Sequence, residues 1–188
     1  ALAPLARAGL LARVSAELKV GSSEGGRDFS AASHHPIRSG AVRVYKASNH
    51  RHTAEVQQML GTDFALRFSL TAIEMVRGVH LLAHVDLTDA LREKDLWKLY
   101  RAAYGQEPFV RLVSSRTGLH RLPEPRIVAG TNFCDIGFEV DESDPRHVIL
   151  VAALDNLVKG AAGSAIQSMN LMCGFEETDG LLFAGVYP

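Results

Sequence analysis

The segment of the sequence best suited to chemistry is Asn49–Glu55, which reads Asn-His-Arg-His-Thr-Ala-Glu. It places His50 and His52 on either side of Arg51, just before a stretch that predicts a helix to residue 60 with Thr53 as its N-cap. The positive end of a helix dipole attracts anions, and an imidazole exchanges protons near neutral pH. The pattern predicts proton transfer on an anionic substrate. The alternative is a polar turn whose histidines only cap the helix or face solvent.

A glycine- and serine-rich loop and an arginine offer further places for an anion. Residues 21–26 read Gly-Ser-Ser-Glu-Gly-Gly, so backbone N–H groups and the hydroxyls of Ser22 and Ser23 are available to a phosphate. The loop matches no nucleotide-binding motif, however, and such runs are more often flexible linkers. Arg77 stands beside Gly78, which lets a ligand approach the backbone, although one arginine more often forms a surface salt bridge.

The last predicted helix carries two polar residues at its start. Asp155 is a suitable N-cap, and residues 157–173 follow with a face of small side chains that is typical of tight helix packing. Asn156 and Lys159 lie in the first turn, where an amide group can orient a ligand such as the carboxamide of a nicotinamide.

The composition limits the classes of function. The 188 residues are 47% apolar and 22% charged, as in an ordinary soluble globular domain. A net charge of −1 argues against a nucleic-acid binder, and no apolar run approaches the ~20 residues that span a membrane. Cys134 and Cys173 lack metal-binding spacing and indicate buried, reduced thiols in a cytoplasmic protein.

The remaining pattern predicts strands in hairpin-like succession with a few helices. The predicted strands cover residues 14–20, 41–45, 64–73, 78–87, 108–113, 131–140 and 147–153, and a helix covers residues 88–104. Residues 21–40 and 114–130 are predicted loops. Residues 1–11 resemble the last turns of a helix with Gly9 at its end, so we expect the chain to begin inside an element. This succession predicts an α+β domain, with helices packed on one face of a largely antiparallel mixed sheet.

Several of these motifs together resemble one enzyme family. They are Asn49–Glu55, Arg77-Gly78, Glu107–Arg111, Gly130–Gly137 and Asp155–Gly163, in unbroken order along the chain. The resemblance is to the N-acetyl-gamma-glutamyl-phosphate reductases, relatives of aspartate-semialdehyde dehydrogenase. The segments at 21–25, 33–36, 43–46 and 174–181 look most like the lysine-biosynthetic branch. That branch reduces the acyl phosphate of 2-aminoadipate or glutamate held on an acidic amino-group carrier protein, and the arginine-biosynthetic enzyme is the alternative.

The resemblance implies the architecture of the protein. Residues 1–154 would form a catalytic, substrate-binding and dimerisation domain like the C-terminal domain of glyceraldehyde-3-phosphate dehydrogenase. Residues 155–188 would form a closing helix and tail that pack against an NADP-binding Rossmann domain outside this chain. The implied cofactor is NADP, and the implied partners are the carrier protein and further copies of the chain in a dimer or tetramer.

The resemblance also implies the roles of individual residues. A cysteine thiolate displaces phosphate, NADPH delivers hydride to the thioester, and a histidine serves as acid and base. The implied catalytic residues are His50, His52 and Glu55; the substrate-binding residues are Ser22, Ser23, Lys46, Arg51 and Arg77; the cofactor-binding residues are Asn156 and Lys159. Neither cysteine of this chain matches the family's nucleophile, so we expect the chain by itself to be inactive.

Two other functions compete with the reductase. A non-enzymatic module would recognise the acidic carrier protein through Arg38, Arg43, Lys46 and Arg51. A metal hydrolase would use His34, His35, His50 and His52, although no third ligand follows either pair at a recognisable spacing.

Overall fold

A seven-stranded mixed sheet organises the computed structural model, which describes residues 1–28, 30–61, 64–115 and 117–187. The strands are β1 (Leu11–Val20), β2 (Arg43–Lys46), β3 (Ala65–Ala72), β4 (Val79–Leu87), β5 (Val110–Leu112), β6 (Cys134–Val140) and β7 (His147–Leu154). Their order in the sheet is β2-β3-β1-β4-β7-β6-β5, with β1 parallel to β3 and β5 parallel to β6. The other four pairs are antiparallel, which confirms the predicted sheet.

In the described part of the chain, six α-helices connect or cover these strands. They are α1 (Ala3–Arg7), α2 (His35–Arg38), α3 (His52–Leu60), α4 (Glu93–Tyr104), α5 (Pro125–Val128) and α6 (Gly163–Cys173). A 3-10 turn occupies Ser22–Gly25, and a π-turn at Val158–Ala162 leads directly into α6. The chain therefore has the α+β architecture that the sequence predicts, with one closing helix at its end.

The core lies between one face of the sheet and helices α1, α3 and α4. Its fully buried side chains come from both layers and include Leu5, Val14, Val85, Leu96, Tyr100 and Val148. The ring of Phe138 on β6 lies 4.9 Å from that of Tyr100 and 4.6 Å from that of Trp97, between centroids. Because burying such a side chain contributes about 1.5–3 kcal/mol, this layer supplies the rigid support for the loops at the strand ends.

The opposite face of the sheet is covered only in part. Leu122 and Pro123 pack against it, and Pro123 lies so close to β6 that a Cβ on Gly137 would come within 2.7 Å of it. Further along, Arg13, Asp86 and His147 form a row across three strands. His147 Nδ1 lies 3.0 Å from Asp86 Oδ1, and the three side chains remain 61%, 48% and 24% exposed. This end of the face is a polar surface open to solvent.

The directions of the strands bring three loops to one edge of the sheet. Strand β4 is antiparallel to both β1 and β7, so β1, β3 and β7 all run the same way and end at the same edge. The segments that follow them are residues 21–25, 73–78 and 155–159. Most of the predicted binding residues belong to these three segments, which explains how positions more than 130 apart in sequence meet.

The start of α3 differs from the prediction. The helix begins at His52 with Arg51 as its N-cap residue, and no side chain caps it. The backbone N–H of Thr53 already donates to the carbonyl of His50 at 2.9 Å, so Thr53 lies within the first turn and is not the N-cap. His52 is therefore part of the helix, while His50 lies just before it.

Helix α4 is shorter than predicted. It begins at Glu93 and not at Thr88, because the preceding backbone bonds to other parts of the chain. The N–H of Thr88 donates to the Leu10 carbonyl at 2.9 Å, and that of Leu91 donates to the Pro145 carbonyl at 3.0 Å. Tertiary hydrogen bonds thus replace a first helical turn.

Short helices occupy parts of the two predicted loops. Both α2 and α5 have a proline in the first turn, where its fixed φ angle suits a helix and its missing N–H is not needed. One cysteine also differs from expectation: Cys134 is partly buried, but Cys173 at the end of α6 is exposed.

Two glycines allow close packing around the point where the loops after β1 and β3 cross. A Cβ on Gly21 would lie 2.7 Å from the carbonyl oxygen of Val76 and 2.9 Å from the nitrogen of Arg77. Gly78 has a φ angle of 121°, and a Cβ there would lie 2.8 Å from the side chain of Pro125. The space beside Gly78 is therefore filled by the protein itself, contrary to the expectation that a ligand approaches it.

We expect Gly21→Ala to destabilise the fold by about 1–3 kcal/mol, the usual cost of forcing an extra methyl into a packed site. Gly160→Ala is the matched control, because a Cβ there would meet its nearest atoms at an ordinary 3.6 Å. The midpoint of urea unfolding measures both variants. Equal midpoints for Gly21→Ala and the control would show that the crossing is not tightly packed.

Candidate active site

His50 lies against strand β3 of the sheet. Its ring centroid is 5.6 Å from that of Phe68, a residue of β3 that is only 9% exposed, and 4.7 Å from that of His52. The backbone turns sharply just before it, since Asn49 adopts a left-handed φ of 54°. His52 Nδ1 pairs with Glu55 Oε2 at 2.5 Å within the first turn of α3. The three predicted catalytic residues are thus close together, and Glu55 contacts His52 and not His50.

The surroundings of His50 favour its neutral imidazole. Desolvation lowers the pKa of His50, and the positive charges of His52, Arg51 and Lys46 lower it further. The Glu24 carboxylate raises the pKa of His50 and so opposes these effects. A neutral imidazole near physiological pH is able to accept a proton, as a general base must.

Glu24 was not predicted, although it lies between the two halves of the site. It belongs to the 3-10 turn after β1, and its Oε2 accepts a hydrogen bond from the hydroxyl of Tyr45 at 3.1 Å. Burial raises the pKa of Tyr45, and the negative charge of Glu24 adds to the effect, so this hydroxyl keeps its proton. The turn therefore joins the end of β1 to the strand that leads to His50.

Ser23 connects the same turn to the closing helix. The amide of Asn156 donates from Nδ2 to Ser23 Oγ at 3.0 Å, and its Oδ1 accepts the backbone N–H of Gly78 at 2.7 Å. Ser22 is buried, with its Oγ 3.1 Å from Nδ1 of His35. The structure therefore places Ser23, Asn156 and Gly78 in direct contact, and it directs Ser22 toward α2.

The backbone of the glycine- and serine-rich loop is already hydrogen-bonded. The N–H groups of Gly21, Ser22 and Ser23 donate to the carbonyls of Gly78, Met75 and Val76 at 3.0, 2.7 and 2.9 Å. The prediction that these N–H groups could surround a phosphate is wrong, because the loop after β3 uses them. The loop is an ordered part of the site and not a flexible linker.

Arg77 binds a buried carboxylate. Its Nε lies 3.2 Å from Oδ2 of Asp155, which is completely buried, while the Arg77 side chain is 34% exposed. Asp155 Oδ1 accepts the N–H groups of Leu157 and Val158 at 2.7 and 3.0 Å, so it caps the closing helix as predicted. Arg77 is therefore part of an ion pair that leaves its outer nitrogens at the surface.

Lys159 lies in a separate polar group on the closing helix. Its Nζ donates to Oε1 of Gln167 at 2.7 Å and lies 5.3 Å above the ring of Phe109. The same Gln167 oxygen accepts from Asn132 at 3.1 Å, and Gln167 donates to Glu177 at 2.6 Å. Burial lowers the pKa of Lys159.

The remaining predicted binding residues are distributed unevenly. Lys46 and Arg51 are exposed next to His50, where they contribute positive charge. Arg38 is only 2% exposed and donates to the carbonyls of Ala32 and Val20, at 2.7 and 3.1 Å. It holds the fold together, so its predicted role in docking a carrier protein is wrong.

The four predicted metal ligands do not come together. In residues 1–28, 30–61, 64–115 and 117–187, no group of three or more His, Cys, Asp or Glu side chains has the geometry of a metal site, and His34, His35, His50 and His52 do not form one. No helix in those ranges is long and apolar enough to cross a membrane.

The fold places the protein in a structural class. It superposes on aspartate semialdehyde dehydrogenase II from Vibrio cholerae with a TM-score of 0.70 and 14% identity, over 92% of this chain and 58% of that one. A probable aspartate-semialdehyde dehydrogenase from Pseudomonas aeruginosa matches equally well, at 19% identity. The class is the α+β domain of these dehydrogenases. Residues 1–156 match the family model of the semialdehyde dehydrogenase dimerisation domain, and the chain belongs to this family.

Curated relatives are much closer in sequence. A putative LysW-L-2-aminoadipate 6-phosphate reductase from Thermomicrobium roseum is 52% identical over 100% of this chain and 55% of its own length. The LysW-L-2-aminoadipate 6-phosphate reductase from Deinococcus radiodurans is 49% identical, over 100% of this chain and 54% of its own. The chain spans about half the length of the curated relatives it matches.

The charges around His50 predict two opposite changes in its pKa. Lys46→Gln removes a positive charge and should raise the pKa of His50, while Glu24→Gln removes a negative charge and should lower it. The pKa of His50 is lower in the folded protein than in the unfolded chain. The contribution of His50 to the free energy of unfolding should therefore be complete above about pH 6.5 and should be lost as the pH falls below that value. NMR titration of the imidazole measures the shifts, and a change of the same sign in both variants would contradict this account.

Proposed function

We propose that this chain is the catalytic and substrate-binding half of an NADPH-dependent acyl-phosphate reductase. The substrate is 2-aminoadipate 6-phosphate, or glutamate 5-phosphate, on an amino-group carrier protein. The names of the relatives at 52% and 49% identity support this substrate class. The observation that carries the proposal is His50, a partly buried imidazole of lowered pKa beside the cations Lys46 and Arg51. The arginine-biosynthetic N-acetyl-gamma-glutamyl-phosphate reductase is the second candidate.

The proposed reaction begins with a thiol that another segment of the protein supplies. The thiolate attacks the acyl carbon, the bond to phosphate breaks, and a thioester forms. Cys134 is a poor nucleophile because burial raises the pKa of its thiol. Cys173 lies at the end of α6, far from His50 in sequence. We therefore propose that the chain by itself is inactive.

His50 moves the proton in this scheme. It accepts the proton of the attacking thiol, donates it to the oxyanion that is left when the thioester is reduced, and takes it back from the thiohemiacetal hydroxyl as the semialdehyde and the thiolate separate. The rings of His50 and His52 are in contact, and Glu55 holds His52 by a hydrogen bond. We assign His52 and Glu55 to orienting this group, and Lys46 and Arg51 to holding the negative charge of the substrate.

Asn156 and Lys159 are suited to the nicotinamide cofactor, which supplies the hydride when bound. Asn156 uses one of its two N–H donors for Ser23, so the second is available to a carboxamide in a fixed orientation. Lys159 provides a partly buried positive charge on the same helical segment. These residues fit a nicotinamide cofactor, and comparison of NADPH with NADH in the assay below decides between the two cofactors.

The closing helix and tail support the proposed division into residues 1–154 and 155–188. They expose a set of large apolar side chains, 38% to 86% accessible: Leu157, Ile166, Met169, Leu171, Met172, Phe175, Leu182, Phe183 and Val186. A free protein surface seldom carries such a set. We propose that they pack against the cofactor-binding part of the complete enzyme.

The carrier protein is proposed to dock at strand β2, on the edge of the sheet. Arg43, Lys46 and Arg51 are exposed there, together with Val42 and Val44, which are 79% and 56% exposed. Cations beside apolar side chains fit an acidic protein that carries the substrate. The same surface would also serve a non-catalytic carrier-binding module.

The enzyme assay tests the function. The chain should be fused behind the N-terminal segment of the Thermomicrobium roseum relative and supplied with NADPH and the carrier-bound acyl phosphate. We expect turnover by the fusion and none by the chain alone. His50→Asn should lower kcat about 10²- to 10⁴-fold with little change in KM, because only proton transfer is lost. His120→Asn, in an exposed pair with Glu124, is the control.

Other results of the assay would contradict the proposal. Turnover by the chain alone would refute the external thiol, and an unchanged kcat in His50→Asn would remove His50 from the mechanism. Electrostatic docking predicts that KM for the carrier-bound substrate rises steeply with salt. Carrier binding without turnover in the fusion would favour the non-catalytic module.

We propose that the open end of the sheet, around Arg13, Asp86 and His147, joins two copies of the chain in a dimer or in part of a tetramer. The family description as a dimerisation domain and the exposure of this face support the interface. Sedimentation equilibrium should show a dimer or tetramer, and Ile149→Arg within this face should dissociate it at that interface. Met59→Arg, at an 84% exposed position on α3, is the control. An unchanged mass for Ile149→Arg would place the interface elsewhere.

A further inference from the structure

Asp155 binds three separate segments, two through hydrogen bonds and one through an ion pair. Its Oδ2 accepts the backbone N–H of Gly130 at 2.6 Å and faces Nε of Arg77 at 3.2 Å. Its Oδ1 accepts the N–H groups of Leu157 and Val158. With 0% of the side chain exposed, each carboxylate oxygen is bonded and the group has no freedom to rotate.

Arg77 is therefore held by one edge of its guanidinium. Its Nε faces Asp155 in an ion pair, and no other carboxylate among the described residues pairs with this guanidinium. The side chain is 34% exposed, so the outer nitrogens reach solvent at the edge of the sheet where β1, β3 and β7 end. Two parallel N–H donors on a planar group match the oxygens of a phosphate or carboxylate.

We propose that Asp155 is a positioning residue that orients Arg77 to bind an anionic oxygen pair, either the phosphoryl group or a carboxylate of the substrate. This inference rests on the proposed function, in which the substrate is an acyl phosphate. Asp155 also caps the helical segment that carries Asn156, so one carboxylate sets both the anion contact and the proposed nicotinamide contact.

The direction in which Asp155→Asn changes the affinity for an anion distinguishes positioning of Arg77 from electrostatic attraction alone. Asp155→Asn removes a negative charge next to the site, and Coulomb attraction alone would then make an anion bind more tightly. If Asp155 instead orients Arg77, the variant should bind an anion more weakly, because a free guanidinium must lose rotational entropy on binding. The two accounts therefore predict opposite changes.

Asp135 provides a matched control. It is another buried carboxylate, 4% exposed, and it holds Arg111 through two bonds of 2.7 and 2.9 Å. Asp135→Asn disrupts an equivalent pair on strands β5 and β6 without contacting Arg77 or the closing helix. Any general loss of stability from a broken buried ion pair should appear in this variant too.

The experiment follows the Nε–Hε signal of Arg77 by NMR in the full chain, during titration with inorganic phosphate and, separately, with acetate. In the unsubstituted chain we expect slow hydrogen exchange at Nε and a saturable shift with at least one of the two anions. Asp155→Asn should lose the slow exchange and bind the anion roughly five- to tenfold more weakly. Asp135→Asn should retain both, within about twofold.

Three results would overturn the inference. They are the absence of a shift with either anion, equal or tighter binding by folded Asp155→Asn, and an equal loss in Asp135→Asn. If Asp155→Asn does not fold, Arg77→Lys decides, because lysine keeps the charge but lacks the planar donor pair. Binding by Arg77→Lys as tight as in the unsubstituted chain would refute positioning. The titration needs no turnover, so an inactive fusion enzyme would refute the proposed function and leave this result standing.

Discussion

The edge of the sheet where β1, β3 and β7 end depends on the contacts of one buried carboxylate, that of Asp155. It joins the end of β7, the loop before β6 and the loop after β3 through hydrogen bonds of 2.6 to 3.0 Å and an ion pair of 3.2 Å. Burying a carboxylate costs several kcal/mol, and this cost is offset only when the carboxylate is fully hydrogen-bonded and paired with a cation. The four contacts meet that requirement, and together they fix Arg77 and the first turn of the closing helix relative to the sheet.

The 3-10 turn at Ser22–Gly25 extends this frame toward the imidazoles. Ser23 contacts Asn156 on one side, and Glu24 contacts Tyr45 on the other. The turn lies against the loop after β3 because Gly21 has no side chain to prevent the crossing. The site is thus two groups of residues, one around His50 and one around Asp155, that a single turn connects.

Local sequence patterns were sufficient for much of this arrangement. The alternating strands, the glycines that end helices, and Asp155 as an N-cap are short-range features, and all of them are confirmed. The start of α4 could not be predicted, because Thr88 bonds to Leu10 and Leu91 bonds to Pro145. Contacts between distant segments decide such boundaries, and no local propensity reports them. Glu24 was missed for the same reason, since its partner Tyr45 lies 21 positions away.

The sequence by itself determined the kinds of chemistry available, because residue types and their spacing set pKa ranges, charges and helix polarity. It predicted the imidazoles of His50 and His52, the cations beside them and the family resemblance. Only the tertiary structure decided that the backbone of residues 21–23 is occupied, that Arg38 is buried and that Arg77 pairs with Asp155. The physical reason is that hydrogen bonding and burial depend on which segments meet in space, and here strand direction brings three distant loops to one edge.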